Sequence, residues 1–510
     1  MNISKTLIYC SLLCLLSSCA TVFSGKNQLV DISIPTQGAK LTIDSLTIST
    51  GTNFKTLILK DYVAKQLKFD AEGYKTTYHT IVPGDRSKWT YLSYFPFAAV
   101  LFLPPIIDLV SLNTWVFKDE YAFSSMRKYV NSDSTKKQLF MRNVAFEVSN
   151  SNNLFKAYTY DDYSSKGDSL RVMKYDSIGM KSTNMDVKLT DVLKKLSYID
   201  TMNTVFIDNV NSIYLHANVT KVVFKGVTYP MAAMFNYYRF VDAELTTSWI
   251  AKNIYGDTLH KSTIVSLSGQ FAVKNLVSTS AEKLAVEDAM EYSMLDFIDT
   301  LTSTGLAKSE KQITNFKEFI SIGKPAKSPT NVSEAMKASV TIKDKEGHGS
   351  GFLISNDGYI LTNHHVVKKN TDYTVILNDG TEYKAKVIRS NKAIDLALVK
   401  VEGNFELAYN LPETQNYKVG DEVWTIGTPQ SVQLGQSVAK GIVSGSRKHN
   451  NSNYLQTDIS VNKGNSGGPI LLKNGELVAV VEYKLYGLGT EGISFSIPAY
   501  EVMQSLGIKY

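Results

Sequence analysis

Turn signals divide the last third of this 510-residue chain into short segments. From Ala338 onward, alternating apolar and polar stretches are separated by the turns Asn356-Asp357-Gly358, Asn378-Asp379-Gly380 and Asn474-Gly475. Asp-Gly and Asn-Gly pairs favour the tight turns that join antiparallel strands. The pattern therefore predicts an all-β barrel or sandwich for the C-terminal region.

Three segments of this region carry residue types that suit nucleophilic catalysis. They are Thr362-Asn363-His364-His365-Val366-Val367, a strand that begins at Asp395 and reads DLALVKV, and the sequence GNSGGP at residues 464–469. A serine hydroxyl needs a base to remove its proton, and the base needs an acceptor that fixes its tautomer. Glycines next to the serine let the backbone turn sharply, so that amide N–H groups point at a developing oxyanion.

In the order His…Asp…Ser, these segments resemble the HtrA/Deg branch of trypsin-like serine proteases, over residues from about 338 to 510. The resemblance implies a chymotrypsin-like double β-barrel and a triad of His365, Asp395 and Ser466. It selects His365 over His364, because the family's base directly precedes Val-Val. It also implies an oxyanion hole built from the backbone N–H groups of Gly464 and Ser466, with Asn465 between them.

The same resemblance suggests a substrate preference. The residue six positions before the nucleophile lies at the base of the S1 pocket in this fold, and here it is the uncharged Ser460. Val461 and Phe495 are expected to line or support the pocket walls. We therefore expect cleavage after small or medium apolar residues, with no metal or organic cofactor. Relatives continue into a PDZ domain that we do not expect here, while the glycine-rich residues 485–491 suggest a mobile activation loop.

The N-terminus has the features of a targeting segment. Lys5 precedes the apolar stretch from Leu7 to Leu16, which is too short to span a bilayer. Residues 16–19, which read LSSC, resemble the lipobox of bacterial lipoproteins, in which the cysteine is acylated after removal of residues 1–18. All three cysteines of the chain lie in this segment, so the mature chain would keep only Cys19 and form no internal disulfide. Ala20 favours the outer membrane by the family's sorting rule.

Two segments follow the proposed anchor. Residues 19–88 alternate in hydrophobicity, with Gly turns, and resemble the PEGA-type β modules found behind lipoprotein anchors. Residues 89–119 contain an uncharged stretch from Trp89 to Ile107, interrupted by prolines that argue against a continuous helix. A buried segment, a hairpin that dips into the bilayer, and a true membrane span are the three interpretations left open.

Residues 120–322 are predicted to form a mixed α/β domain of unknown function. Strands are expected at Thr204–Ile207, Ser212–Leu215, Lys221–Phe224 and Phe240–Leu245. A capping box at residues 279–282 predicts a helix that ends at Leu301, with an apolar stripe formed by Leu284, Met290, Met294, Phe297, Ile298 and Leu301. His79, His216 and His260 lack the spacing of metal ligands. Residues 323–335 read as a polar linker before the protease domain at 336–510.

Charge does not point to nucleic acid as a partner. The formal net charge is only +6, and the basic residues are scattered along the chain. The sequence thus predicts a membrane-anchored serine endopeptidase of the bacterial envelope that acts on protein or peptide substrates. The alternative is an envelope binding or assembly lipoprotein whose protease domain is auxiliary or inactive. The oligomeric state stays open.

Overall fold

The computed structural model describes residues 26–61, 63–83, 85–86, 115–133, 135–148, 153–159, 171–173, 185–199, 211–228, 239–273, 280–309, 316–345, 347–368, 372–449, 452–484 and 492–510. The chain divides into one unit of Met1–Met202 with Ile213–Lys308, and a second of Asn203–Ser212 with Ser309–Tyr510. Cys19, the whole uncharged stretch from Trp89 to Ile107, the predicted strand Thr204–Ile207 and the loop at 485–491 lie outside the described residues.

The first unit begins with short strands that alternate buried and exposed side chains. They are β1 (Asn27–Ser33), β2 (Ala39–Ile43), β3 (Leu46–Gly51), β4 (Asn53–Leu59), β5 (Lys65–Asp70), β6 (Thr77–Ile81), β7 (Asp85–Arg86), β8 (Trp115–Val116) and β9 (Glu120–Ala122). They form sheets of order β4-β1-β9 and β3-β2-β5-β6, and β7 pairs with β8. Apolar residues such as Val30, Leu41 and Phe69 form their shared core. The likeness of this part to PEGA modules stays a prediction.

A mixed α/β part completes the first unit. Its elements are β10 (Gln138–Phe146), β11 (Asn153–Thr159), β12 (Arg171–Met173), α1 (Met185–Lys195), β13 (Ser212–Thr228), β14 (Arg239–Lys252), β15 (Thr258–Leu267), β16 (Phe271–Val273) and α2 (Ser280–Ser303). The sheet has the order β12-β11-β13-β14-β15, while β10 pairs with β13 and β16 with β14. Helix α2 packs on this sheet through Met290, Met294 and Phe297, which are fully buried.

Two details of the sequence prediction are wrong here. The predicted strands Ser212–Leu215 and Lys221–Phe224 are one strand, β13, whose pairing with β14 shifts register between Val219 and Lys221. Leu284 was expected in the apolar stripe of α2, yet 49% of its surface is exposed. It lies at the edge of a cavity of about 550 Å³ rather than in the core.

A buried ion pair joins the small sheets to helix α2. Lys75 is 1% exposed, and its ammonium group contacts Asp288 and lies 3.6 Å from Glu291. The ammonium also sits 4.1 Å from the centre of the Tyr292 ring. Burial raises the pKa of Asp288, while the charge of Lys75 and a hydrogen bond from the Gly269 backbone N–H oppose this rise. Removing Lys75 would leave the buried Asp288 carboxylate without a compensating positive charge.

The second unit contains two closed β-barrels of six strands each. The first is formed by β18 (Ser339–Lys343), β19 (His348–Leu353), β20 (Tyr359–Thr362), β21 (Tyr373–Ile376), β22 (Glu382–Asn391) and β23 (Leu396–Val401). The second is formed by β24 (Glu422–Gly427), β25 (Ser437–His449), β26 (Ser452–Thr457), β27 (Pro469–Leu471), β28 (Leu477–Lys484) and β29 (Ser494–Pro498). Their orders are β18-β19-β20-β23-β22-β21 and β24-β25-β26-β29-β28-β27. The predicted chymotrypsin-like double barrel is confirmed.

Short elements close this unit. They are β17 (Ile320–Ser321), α3 (Val332–Ala338), α4 (Val502–Leu506), β30 (Ile508–Lys509) and four short 3-10 helices at His364–Val366, Lys392–Ile394, Val432–Leu434 and Ala499–Glu501. Strand β17 pairs with β30, so residues 320–321 already belong to the second unit. The predicted linker at 323–335 accordingly lies within this unit, and its last residues form the start of α3, capped by the Asn331 side chain. In the part of the chain that the structure describes, no helix has the length and apolar character needed to cross a membrane.

The Lys75 ion pair generates a first prediction. We expect Lys75→Met to lower the free energy of unfolding of the first unit by about 3–5 kcal/mol, because Asp288 would be left buried and unpaired. The matched control is Lys68→Met. Lys68 pairs with Asp70 at 2.8 Å, but both side chains are a third or more exposed, so its loss should cost less than about 1 kcal/mol. Denaturant unfolding of the full chain measures both variants, and equal effects would contradict the prediction.

Candidate active site

His365 and Asp395 meet at one end of the first barrel. His365 lies in the 3-10 helix after β20, and Asp395 directly precedes β23. Its carboxylate accepts two hydrogen bonds from His365, at 2.9 Å from the backbone N–H and 2.6 Å from Nδ1. Because a carboxylate can only accept, the Nδ1 proton faces Asp395 and the imidazole is held in one orientation, with Nε2 free of its proton when the ring is neutral.

Asp395 adopts an unusual backbone conformation to do this. Its φ of 52° lies in the left-handed region, where Asp and Asn are the non-glycine residues most often found. The carbonyl of Asp395 accepts hydrogen bonds from the Asn363 side-chain amide at 2.8 Å and from the His364 backbone N–H at 3.1 Å. Asp395 is fully buried, so these contacts fix both its backbone and its carboxylate.

The neighbouring His364 is in a different environment. Its Nδ1 is buried and makes no hydrogen bond within the described part of the chain. Burial lowers the pKa of His364, although the charge of Asp395 acts in the opposite direction. Of the two adjacent histidines, His365 is therefore the one whose ring is oriented by a carboxylate.

Ser466 lies on a glycine-rich loop of the second barrel. Gly464 and Gly467 have φ values of 101° and 82°, which only glycine adopts without strain. A Cβ at Gly464 would lie 2.1 Å from the carbonyl oxygen of Thr428, and one at Gly467 would lie 2.3 Å from that of Ser350. The Ser466 hydroxyl is partly exposed and donates to the carbonyl of Glu482 at 3.3 Å.

Two of the amide groups around Ser466 have no hydrogen-bond acceptor in the described part of the protein. Among the described residues, the N–H groups of Gly464 and Ser466 donate to no protein acceptor, whereas the N–H of Asn465 donates to the Asn462 carbonyl at 3.0 Å. The Lys463 carbonyl accepts from the Gln430 N–H at 2.8 Å. In a trans peptide the C=O and N–H point in opposite directions, so this bond directs the Gly464 N–H away from Gln430. The N–H of Asn465 is therefore used within the loop, while the N–H groups of Gly464 and Ser466 are available to a ligand.

Ser350 holds this loop in place, a role that its sequence context alone did not predict. Ser350 is 1% exposed, and its hydroxyl donates to the Gly464 carbonyl at 2.7 Å while accepting from the Thr428 N–H at 2.9 Å. Its backbone N–H donates to the Ser466 carbonyl at 2.9 Å. The glycines on each side of Ser350, in the sequence GSG, are the one sequence signal that another backbone segment packs closely against this position.

The residues predicted to form the S1 pocket lie in and next to the second barrel. Ser460 is exposed and Val461 is buried, and both follow β26. Phe495 in β29 is 1% exposed and opposite Gln456 of β26, with its ring 6.5 Å from that of Tyr454 in an edge-on arrangement. The Phe495 side chain is thus packed in the second barrel, where β29 pairs with β26.

Comparisons with known proteins agree with this architecture. Residues 349–480 match the family described as the trypsin-like peptidase domain. The chain is 32% identical over 266 residues to a probable periplasmic serine endoprotease, DegP-like, of Bartonella henselae, covering 51% of this chain and 50% of the relative. It is 41% identical over 158 residues to the DegP-like protein of Rhizobium meliloti, covering 30% and 31% of the two chains.

Two further similarities concern the same region. The magnetosome formation protease MamE of Paramagnetospirillum magneticum is 37% identical over 173 residues, which is 32% of this chain and 24% of that one. The crystal structure of the serine endoprotease from Yersinia pestis is 32% identical, covers 35% of this chain and 65% of its own, and has a TM-score of 0.31. The chain spans half or less of the length of these curated relatives. The C-terminal region of this chain is therefore a trypsin-like peptidase domain, related to the DegP-like serine endoproteases.

Proposed function

We propose that this protein is a serine endopeptidase in which Ser466 is the nucleophile, His365 the general base and Asp395 the residue that orients the base. The single observation that carries the proposal is the pair of hydrogen bonds from His365 to the buried Asp395 carboxylate. A neutral imidazole held this way presents its unprotonated Nε2, the atom that accepts the serine proton. The mechanism requires the Ser466 hydroxyl to leave the Glu482 carbonyl and to donate to His365 Nε2 instead, and catalytic hydrogen bonds of this kind often tighten only when substrate is bound.

The reaction would proceed through an acyl-enzyme. Ser466 Oγ attacks the carbonyl carbon of the scissile peptide bond as its proton passes to His365 Nε2. The negative charge that develops on the substrate oxygen is met by the N–H groups of Gly464 and Ser466, which donate to no protein acceptor among the described residues. The imidazolium then protonates the leaving amine, and water repeats the sequence to release the second product.

We also propose that the enzyme is anchored in the bacterial envelope through an acylated Cys19, on the outer membrane and facing the periplasm. The sequence LSSC at residues 16–19 and the absence of any cysteine after it support this anchor. Several relatives are described as periplasmic endoproteases, which supports the same compartment. Envelope proteins are then the substrates that the active site can reach.

The triad is tested with a fluorophosphonate probe, which reacts only with an activated serine. We expect wild-type protein to be labelled, and both Ser466→Ala and His365→Ala to lose labelling. His364→Ala is the matched control, and it should keep labelling because the His364 ring donates no hydrogen bond to the Asp395 carboxylate. A folded wild type that stays unlabelled would favour the alternative, an envelope binding or assembly lipoprotein with an inactive protease domain.

Ser350 is proposed as a positioning residue for the oxyanion hole. Ser350→Ala removes the hydroxyl that joins Gly464 to Thr428. We expect kcat to fall about tenfold or more with KM nearly unchanged, since loss of a direct oxyanion donor costs about 10²–10³-fold in kcat. Ser355→Ala is the control, because Ser355 is equally buried but accepts from the Tyr359 N–H in a turn of the first barrel. Equal kcat in the two variants would refute the positioning role.

The substrate preference is tested with a peptide library read by mass spectrometry. An uncharged residue at position 460 leaves no carboxylate there to pair with a basic side chain. We expect cleavage after Ala, Val or Ile, and Ser460→Asp should add cleavage after Lys or Arg. A wild-type preference for Lys or Arg would show that another group forms the base of the pocket.

A further inference from the structure

Three leucines form an exposed apolar cluster on the outer face of the sheet β4-β1-β9. Leu29, Leu57 and Leu59 are 57%, 66% and 51% exposed. Leu29 pairs with Leu57 in the antiparallel register of β1 and β4, and Leu59 pairs with Asn27. Residues that oppose each other across antiparallel strands share a face, as do residues two apart along one strand. The three side chains are therefore neighbours on one surface.

The cluster occupies only one end of that face. Further along the same face, Asp31 and Lys55 form an ion pair at 3.5 Å, and Ser33 pairs with Asn53. The other face of the sheet carries Val30 and Ile32, which are buried in the core. The leucines are thus not a second core face of the sheet but a local patch at the end where β1 begins.

Other parts of the chain arrive at this same end. The Lys60 N–H donates to the Lys26 carbonyl at 2.8 Å, which brings the end of β4 to the first described residue. The Gln28 side chain donates to the Phe117 carbonyl at 2.8 Å and accepts from the Phe117 N–H at 2.9 Å. Phe117 directly follows β8, which pairs with β7. The described residues on both sides of positions 87–114 are therefore held beside the start of β1.

The sequence of the adjoining segments indicates what covers the patch. Lys26 follows Cys19 by seven positions, so the start of β1 lies within roughly 25 Å of an acylated cysteine even if the chain is fully extended. The segment that joins β7 to β8 contains the uncharged stretch from Trp89 to Ile107. Cys19 lies seven positions before Lys26 in the chain, the uncharged stretch is flanked by β7 and β8, and the leucine cluster is exposed at this end of the sheet. A bilayer surface matches this combination better than a soluble partner does.

We infer that the end of the sheet where β1 begins rests on the bilayer, with Leu29, Leu57 and Leu59 in the interfacial region of the lipid. The inference deepens the proposed anchoring at Cys19 and is independent of the proposed protease activity. It assigns these leucines a role as a second, non-covalent contact with the membrane. The acyl chains attach the protein to the membrane, and an exposed apolar surface that enters the interface adds binding free energy that scales with its buried apolar area.

The test places an environment-sensitive fluorophore on the patch. In the full chain, Leu57→Cys is labelled with the NBD fluorophore; Cys10 and Cys14 leave with the signal peptide, and Cys19 is blocked by acylation. Val265→Cys is the matched control, because Val265 is 60% exposed on β15 of the same unit. In vesicles of phosphatidylethanolamine and phosphatidylglycerol, we expect blue-shifted emission and quenching by brominated lipids at position 57 and neither effect at 265. Water-like emission at position 57 in protein that floats with the vesicles overturns the inference.

A second measurement separates the patch from the anchor. Cys19→Ser protein is mixed with the same vesicles, and the fraction that floats is compared with that of Cys19→Ser carrying Leu29→Gln, Leu57→Gln and Leu59→Gln. We expect the triple substitution to lower the floating fraction several-fold, while Val265→Gln with Leu267→Gln leaves it unchanged. Mass spectrometry that finds no acyl chains on Cys19 would refute the anchor alone. Equal flotation of the triple variant and its control would refute the patch alone.

Discussion

The hydroxyl of Ser350 connects the two β-barrels beside the proposed active site. Ser350 lies in β19 of the first barrel, and its two hydroxyl partners, Gly464 and Thr428, belong to the second. His365 and Asp395 come from the first barrel, whereas Ser466 comes from the second. A serine nucleophile and its base must meet to within hydrogen-bonding distance, so the relative position of the barrels matters as much as the residues themselves. Ser350 contributes to that position through its hydrogen bonds to the loop that carries the proposed nucleophile, Ser466.

Local turn signals were sufficient to predict an all-β barrel or sandwich, and the resemblance to the HtrA/Deg branch, which rests on three short motifs, implied the double barrel and the three candidate residues. The Asn-Asp-Gly turns at 356–358 and 378–380 mark strand ends within a few residues. The role of Ser350 could not be predicted in the same way, since Thr428 and Gly464 lie 78 and 114 positions away in the chain. The left-handed conformation of Asp395 also depends on distant groups, because its carbonyl is held by Asn363 and His364.

The mixed α/β part was harder to predict for a related reason. In β13 the polar residues His216 and Asn218 suggested a turn, but in the structure both side chains are engaged with the neighbouring segment. His216 bonds to Asn143 at 2.6 Å, and Asn218 donates to Glu147 at 2.7 Å. In a sequence, polar residues within a long strand are hard to distinguish from turn residues when their hydrogen-bond partners come from another element. Leu284 illustrates the converse, since an apolar residue in the right position on a helix lines a cavity instead of the core.

Contacts between the small sheets and helix α2 determine whether an orientation that the membrane imposes on the small sheets would reach the rest of the first unit. Besides the Lys75 pair with Asp288, Arg127 binds Asp296 and Asp299 at 2.6 and 2.8 Å. On the β5 side, the Gln66 side chain donates to the Gln270 carbonyl at 2.8 Å and accepts from the Ala272 N–H at 2.6 Å. Attachments at several separate points restrict rotation about any one of them. An orientation that the bilayer imposes on β1 and β4 would therefore be carried to α2 and the sheet beneath it.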